Sequence, residues 1–352
     1  MSWALALKGV PAPPLQCDRV PGKVTHRKGS GVATTTEDFN RQLEPHRPQL
    51  LAHCYRMLGS VHDAEDLVQE TYLRAWRARD RYDHARGSLR TWLYRIATNA
   101  CLNALESRSR RPLPSGTVTE SDPLQPFVHG GEVTWLQPIP DALLHLGDPA
   151  GSAVDRSSLR LAFVAALQHL SARQRAVLIL REVLAFSAAE TADVLDTSVA
   201  SVNSSLQRAR ARLKEAGVLE DHVPEPSQTE QRTCVERYMK AFEQADIEGL
   251  KQLLAHDVLM EMPPMLNWFV GRANYAQFMG WLFAKAGSSW RLDPIAANGQ
   301  PGFAAYRRGA SGAYELHTLQ VFAVTAAGIS RTTVFQDAEV FAAFGLDTVS
   351  AS

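Results

Sequence analysis

Residues 187–214, SAAETADVLDTSVASVNSSLQRARARLK, gather hydrogen-bonding and cationic side chains on one face of a predicted helix. Val199, Val202, Leu206, Ala209 and Leu213 recur at helical steps and form its apolar stripe. The other face carries Ser198, Ser201, Asn203, Ser204 and Gln207, then Arg208, Arg210, Arg212 and Lys214. Small polar side chains reach base edges in a major groove, and cations behind them neutralise phosphates. A second such face is predicted in GSLRTWLYRIATNACLNALESRSRR, residues 87–111. There Leu93, Ile96, Ala97, Ala100 and Ala104 form the buried stripe. Arg95, Asn99 and Asn103 recur every four residues opposite it, with Trp92 and Tyr94 near the start and Arg108, Arg110 and Arg111 at the end. Amides for base edges, aromatics for stacking and arginines for phosphates suit separated strands. The alternative at the first place is an ordinary amphipathic helix with a basic end, which the helix dipole favours by itself, and at the second that Trp92 and Tyr94 are packed core and the arginines a solvated helix end.

These faces need helical units to carry them, and the pattern along the chain supplies two. The 352 residues, 45% apolar, allow two or three domains. Leu50, Leu51, Cys54 and Leu58, then Ala64, Leu67, Val68, Tyr72 and Trp76, extend the helical period back from residue 93, so residues 37–111 form a first helical domain. Residues 112–152 hold seven prolines and five glycines with no period, and are expected to be a linker. Helices resume at 157–170, and residues 153–215 make a second helical domain. Ser171 with Gln174 and Ser187 with Glu190 have capping-box spacing, and Thr197 or Ser198 can cap the helix that follows the turn at Asp196. A short linker at 216–228 precedes a different pattern at 229–345, with helices near 229–254 and 273–286 and then alternating runs at 314–325 and 329–336. Helices followed by strands predict an α+β domain. Residues 1–36 read as a disordered basic tail, and 346–352 as a second tail.

Lys plus Arg equal Asp plus Glu at 37 each, but the balance is uneven along the chain. Residues 37–111 carry 13 basic and 10 acidic groups, 153–215 carry 9 and 6, and 225–352 carry 10 and 13. Phosphate contacts are local, so neutrality overall does not exclude a nucleic-acid partner. The acidic last third is expected to lie against the basic helical domains or across the linker. Cys17, Cys54, Cys101 and Cys234 have no metal-ligand spacing, so neither a metal nor a disulfide framework is expected, and no cofactor is implied. With no apolar run long enough for a membrane span, the expectation is a soluble cytoplasmic protein.

In this order, the motifs resemble the extracytoplasmic-function group of RNA polymerase sigma factors. HDAEDLVQETYLRAWR (62–77) resembles the helix of that family that docks on the polymerase β′ clamp helices, which implies core-binding roles for Asp63, Glu65, Asp66, Gln69, Glu70 and Arg74. RTWLYRIATNACLNAL (90–105) is similar to its −10 element helix, implying roles for Trp92, Arg95, Asn99, Asn103 and Arg108, with the loop 81–88 matching the segment that captures a flipped base. Residues 170–213 resemble the sigma-4 domain, which reads the −35 element near the β flap, and this implies DNA contacts for Ser198, Ser201, Asn203, Ser204, Gln207, Arg208 and Arg210. Asp196 stands where the family often has Gly, and Ser204 and Ser205 where a basic residue often appears. The resemblance implies a monomer within a holoenzyme, bound to core polymerase and promoter DNA and performing no chemistry itself.

Residues 229–345 resemble the SnoaL-like cone domain, through layout and EMPPMLNWFVGRANYAQFM (261–279), and WLQPIP (135–140) is similar to a linker motif of sigma factors that carry it. The resemblance implies regulation in cis. Trp268, Phe269, Phe278 and Trp281 are candidates to line a small-ligand pocket there. A competing expectation is a retained cyclase or isomerase site, with His256, Asp257, Glu261, Tyr306, His317 or Asp337 as the base. For the whole chain, the alternative is a helix-turn-helix regulator that does not act as a sigma factor.

Overall fold

The computed structural model describes residues 36–83, 87–107, 110–146, 156–215, 226–347 and 349–350. The basic tail 1–35 with Cys17, the middle of the 81–88 loop, Arg108, most of the 216–228 linker and the last two residues lie outside the described residues.

The first helical unit contains α1 (Thr36–Leu43), α2 (Arg47–Leu58), α3 (Val61–Ala78) and α4 (Leu89–Glu106). Ser60 caps α3 by accepting the Asp63 N–H, and Ser88 caps α4 by accepting that of Thr91. The expected stripes are buried at Leu50, Leu51, Cys54, Leu58, Ala64, Val68 and Tyr72, and in α4 at Leu93, Ala97 and Ala100. Leu67, Trp76, Ile96 and Ala104 are only half-buried and pack against the edge of that core. Tyr94, expected on the open face of α4, is instead 1% exposed.

The second unit contains α5 (Leu161–Leu167), α6 (Ala172–Leu178), α7 (Ala188–Val194) and α8 (Val199–Glu215). Both capping boxes form as the sequence predicts. The expected single helix over 157–170 is broken: a 3-10 turn at Ser157–Leu159 precedes α5, and Arg160 between them is extended at ψ 140°. The turn before α8 places Asp196 at φ 47°, a left-handed conformation that Asp tolerates better than most residues with a Cβ, which lets it stand where glycine is commoner.

The cone follows. It contains α9 (Gln228–Glu243), α10 (Ile247–Leu253), β1 (Leu254–Glu261), β2 (Trp268–Val270), α11 (Arg272–Ala286), β3 (Trp290–Ala297), β4 (Gln300–Arg308), β5 (Tyr314–Thr325), β6 (Gly328–Phe335) and α12 (Ala338–Ala343). Six of the sheet's seven strands run in the order β2-β1-β6-β5-β4-β3, parallel only between β1 and β6, and the seventh, β7 (Val349–Ser350), pairs antiparallel with β5 in a segment expected to be a tail. The period-two alternation of β5 assigns the two faces of the sheet. Phe322 and Val324 point into the cone, where they join Tyr238, Phe242, Phe278 and Phe303. Leu319 and Val321 point the other way, into a core shared with both helical units.

That shared core corrects the expectation of a linker. Residues 110–146 lack regular helices, yet Trp135, Leu136, Gln137, Ile139 and Pro140 are buried, so the segment is a strap whose second half packs between the helical units and the cone while 118–134 run largely exposed along it. Gly59, at φ 70°, ends α2 so close to the strap that a Cβ there would sit 2.8 Å from Leu136.

Candidate nucleic-acid interface

Helix α8 buries Val202, Leu206, Ala209 and Leu213 and leaves its opposite face open. Ser198, Asn203, Gln207, Arg208 and Arg210 are exposed, and Ser201 and Ser204 are half-buried. The Ser198 hydroxyl accepts the Ser201 N–H at 3.2 Å, so it caps the helix as well as standing at its leading edge. Val199, expected in the apolar stripe, is 43% exposed because the first turn of α8 projects beyond the core. Arg210 donates to Glu182 at 2.6 Å, a surface pair that an incoming phosphate can replace at little cost.

Helix α4 presents Arg95, Asn99 and Asn103 on one exposed line. Trp92 is half-buried and stacks on Tyr82 of the preceding loop, with ring centroids 4.9 Å apart. The shoulder of α4 is engaged by the second helical unit. Arg90 lies over the rings of Tyr94 and Phe186 and donates to the Leu184 carbonyl at 3.2 Å. Tyr94 packs edge-on against Phe186 and His53, which is why it is buried.

The outward face of α3 carries Asp66, Gln69 and Arg74, all exposed, with Glu70 paired to Arg74 at 2.7 Å. Asp63 and Glu65 have intramolecular partners, Arg111 at 2.8 Å and Arg47 at 3.4 Å. Leu73, which the sequence reading passed over, is 45% exposed on this face one turn beyond Gln69, and adds an apolar contact to it. The first turn of α3 meets the cone, where the His62 ring stands 3.1 Å from the Glu339 carbonyl oxygen.

The residues that join the parts were not singled out from sequence. Asn298 and Gly299, both at positive φ, form the two-residue turn between β3 and β4. The turn is inserted into the helical half, and Asn298 is fully buried. Its amide nitrogen donates to the Tyr55 hydroxyl of α2 at 2.7 Å and to the Leu159 carbonyl before α5 at 2.6 Å. Its side-chain oxygen accepts the Ile139 N–H of the strap at 2.9 Å. The Tyr55 hydroxyl in turn donates to the Gln137 carbonyl. Gln300 accepts the Leu161 N–H, and Arg56, 2% exposed, donates to the hydroxyl and carbonyl of Ser158. The Asn-Gly pair is a hairpin signal that sequence does carry. Its burial is not, since a hairpin tip normally faces water.

The cone encloses a cavity of about 390 Å³. Phe278 and Trp281 line it as expected, Phe269 packs behind Phe278, and Trp268 turns to the strap, donating to the Val118 carbonyl at 3.0 Å. Of the candidate bases, His317 alone lines the cavity, and burial followed by the Arg307 charge pushes its pKa down. Glu261 is held by Arg331 and the Ser115 hydroxyl, both at 2.8 Å, and Asp337 caps α12. Tyr306 is buried under Arg291, while His256 and Asp257 are exposed on β1. No carboxylate lines the cavity among the described residues, and those residues hold no group of three metal-ligating side chains. No described helix is long and apolar enough to cross a membrane.

Comparison with known proteins places these parts. The sigma-70 region 2 family matches residues 43–111, sigma-70 region 4 matches 160–213, and the SnoaL-like domain family matches 235–337. The ECF RNA polymerase sigma factor SigG of Mycobacterium tuberculosis is 47% identical over 312 residues, 88% of this chain and 84% of that protein. SigJ of the same organism is 31% identical over 218 residues, 62% of each chain. The crystal structure of SigJ superposes with a TM-score of 0.60 at 22% identity, covering 86% of this chain and 98% of that one, which shows a shared fold.

Proposed function

The chain belongs to the extracytoplasmic-function RNA polymerase sigma factors, and from that premise we propose that its cone and strap hold the two DNA-reading units closed until polymerase or another signal releases them. It is a transcription-initiation factor rather than an enzyme, and the catalysis belongs to polymerase. Within that role, α3 docks on the core through Asp63, Glu65, Asp66, Gln69, Glu70 and Arg74, with Leu73 beside them. Trp92, Arg95, Asn99, Asn103 and Arg108 meet the separated −10 strand. Ser198, Ser201, Asn203, Ser204, Gln207, Arg208 and Arg210 read the −35 duplex.

The buried Asn298 tip carries the regulatory part of this proposal. One side chain bonds α2, the strap and the approach to α5 together, so the cone fastens both sigma units at a single point. The two units also touch directly, through Arg90 and Tyr94 of α4 against Leu184 and Phe186. Elements named −10 and −35 stand about 25 base pairs apart, roughly 85 Å of duplex at ~3.4 Å each. A 100-residue domain has a radius of gyration of only about 13 Å. Units in contact therefore cannot span both elements, and the closed arrangement must open for initiation.

The test is run-off transcription with bacterial core polymerase and the promoter upstream of the protein's own gene, comparing the full chain with Asn298→Asp. More transcript from the variant, with core binding unchanged, is the expected outcome. Equal transcription and an equal radius of gyration in solution would reject cis closure while leaving sigma activity intact.

A further inference from the structure

The cavity in the cone has a chemistry that neither promoter reading nor cis closure explains. Its wall is apolar and polarisable: Phe278 and Trp281 stack with ring centroids 5.9 Å apart, and Met260, Met262 and Met279 face them. Thioether and aromatic walls of this kind adapt to flat ring systems. Its charged lining is one-signed. Lys285, Arg307 and His317 contribute to it, and no Asp or Glu does so among the described residues. Gln320, 4% exposed, also faces the cavity, and its Oε1 is buried with no hydrogen-bond partner. An unpaired buried acceptor is unfavourable, and an incoming N–H or O–H would satisfy it. The volume of about 390 Å³ falls in the range of small-molecule sites, ~300–1,000 Å³.

One part of the lining comes from outside the domain. Phe127 of the strap lines the cavity, with its ring edge-on to Trp281 at 5.4 Å and to Phe278 at 6.1 Å. The strap is tied to the cone on either side of Phe127. Ser121 donates its N–H to the Trp268 carbonyl, and Val128 donates to the Asn267 side chain at 2.7 Å. Further along, the same segment enters the helical half, where the Gln137 N–H donates to the Gly59 carbonyl.

We propose that this cavity binds a small, flat aromatic anion bearing a hydrogen-bond donor, and that Phe127 transmits its occupancy to the strap. The ring system lies between the aromatic and methionine walls, the anionic group meets Lys285 and Arg307, and the donor satisfies Gln320. The link to transcription rests on the closed state proposed above; the binding site does not.

The probe is 8-anilinonaphthalene-1-sulfonate, a flat aromatic anion with one N–H, titrated into the full-length protein. One saturable site per chain is expected, with affinity falling at least tenfold in Lys285→Gln/Arg307→Gln and unchanged in the control Lys251→Gln on α10. Both cations are partly exposed, so the double variant should keep the melting temperature of the parent, and that is measured alongside. The uncharged N-phenyl-1-naphthylamine is expected to bind at least tenfold more weakly. No saturable site, or equal affinity in the double variant, would overturn the assignment of the site. Run-off transcription with and without the probe tests the coupling: a change that Phe127→Ala abolishes supports it. Probe binding with no such change overturns the role of Phe127 and leaves the site standing. Equal transcription by the parent and Asn298→Asp rejects cis closure whatever the probe does.

Discussion

Helices α4 and α8 carry comparable polar faces in different settings. Both leave a polar line open, Arg95, Asn99 and Asn103 on one and Asn203, Gln207 and Arg208 on the other. Helix α8 is held along one stripe by its own domain, whereas α4 is also gripped at its first turn by the second helical unit through Arg90 and Tyr94. The surfaces are therefore available while their separation is restrained. Under the closure proposed above, control acts on the distance between these two faces rather than by covering either of them.

The largest effect on that comparison is expected from Asn298→Asp. A carboxylate cannot donate to the Tyr55 hydroxyl or the Leu159 carbonyl, and each buried group left unpaired costs about 1–3 kcal/mol. The closed state should give way to an extended one, read as a larger radius of gyration by solution scattering, and the difference between α4 and α8 should vanish.

Acid separates the regions by another route. His53 beneath α4 is fully buried, 2.9 Å from the Thr98 hydroxyl, and burial, with Arg56 adding to it, pushes its pKa from 6.5 to about 3. The unfolded chain binds a proton below pH 6.5 that the folded one refuses until about pH 3. The first helical unit should thus lose about 1.4 kcal/mol per pH unit as pH falls through that window, and none of this loss should occur above it. In the cone, the buried pair Tyr238 and Tyr275 is neutral throughout the acid range. Burial raises Tyr275 to about 12, so its contribution fades only as pH climbs from about 10 towards that value. Denaturant midpoints followed by hydrogen exchange in each region would check this, and His53→Gln should remove the acid slope in the helical unit alone.

At the readers themselves, Asn99→Ala and Gln207→Ala should each cost about 1–3 kcal/mol of base discrimination. The first should lower initiation at the −10 element with core binding unchanged, and the second should weaken only the −35 contact. If both variants lost activity by failing to bind core polymerase, the division of labour between the helices would be wrong. Arg210→Ala should have the smallest effect on folding, about 0–1 kcal/mol, because its pair with Glu182 is exposed. Its promoter affinity should fall and become less salt-dependent.

Much of this was legible in sequence. The capping boxes at Ser171 and Ser187, the turn at Asp196, and the strands at 314–325 and 328–335 stand within a few residues of their expected positions, because caps and periods are local. The open lines of α4 and α8 were equally readable. Tyr94 takes the packed alternative and Val199 leaves its expected stripe, for opposite reasons: a neighbouring domain buries one, and the end of the core exposes the other. Strands β1 to β4 were not anticipated: β2 is only three residues long, β3 and β4 carry Pro294 and Pro301, and β1 follows α10 with no break.

Sequence by itself determined the helices, their caps, the open polar faces of α4 and α8 and the family these belong to, through spacings of three or four residues that the backbone enforces. Only the tertiary structure decided that 135–140 are packed between the helical units and the cone, that the hairpin tip at Asn298 is buried and that Phe127 lines the cavity in the cone. Those residues have no period to announce a partner. Asn298 meets Tyr55 across 243 positions of chain, and a hydrogen bond at that separation is selected by the shapes of two assembled surfaces, not by the residues on either side.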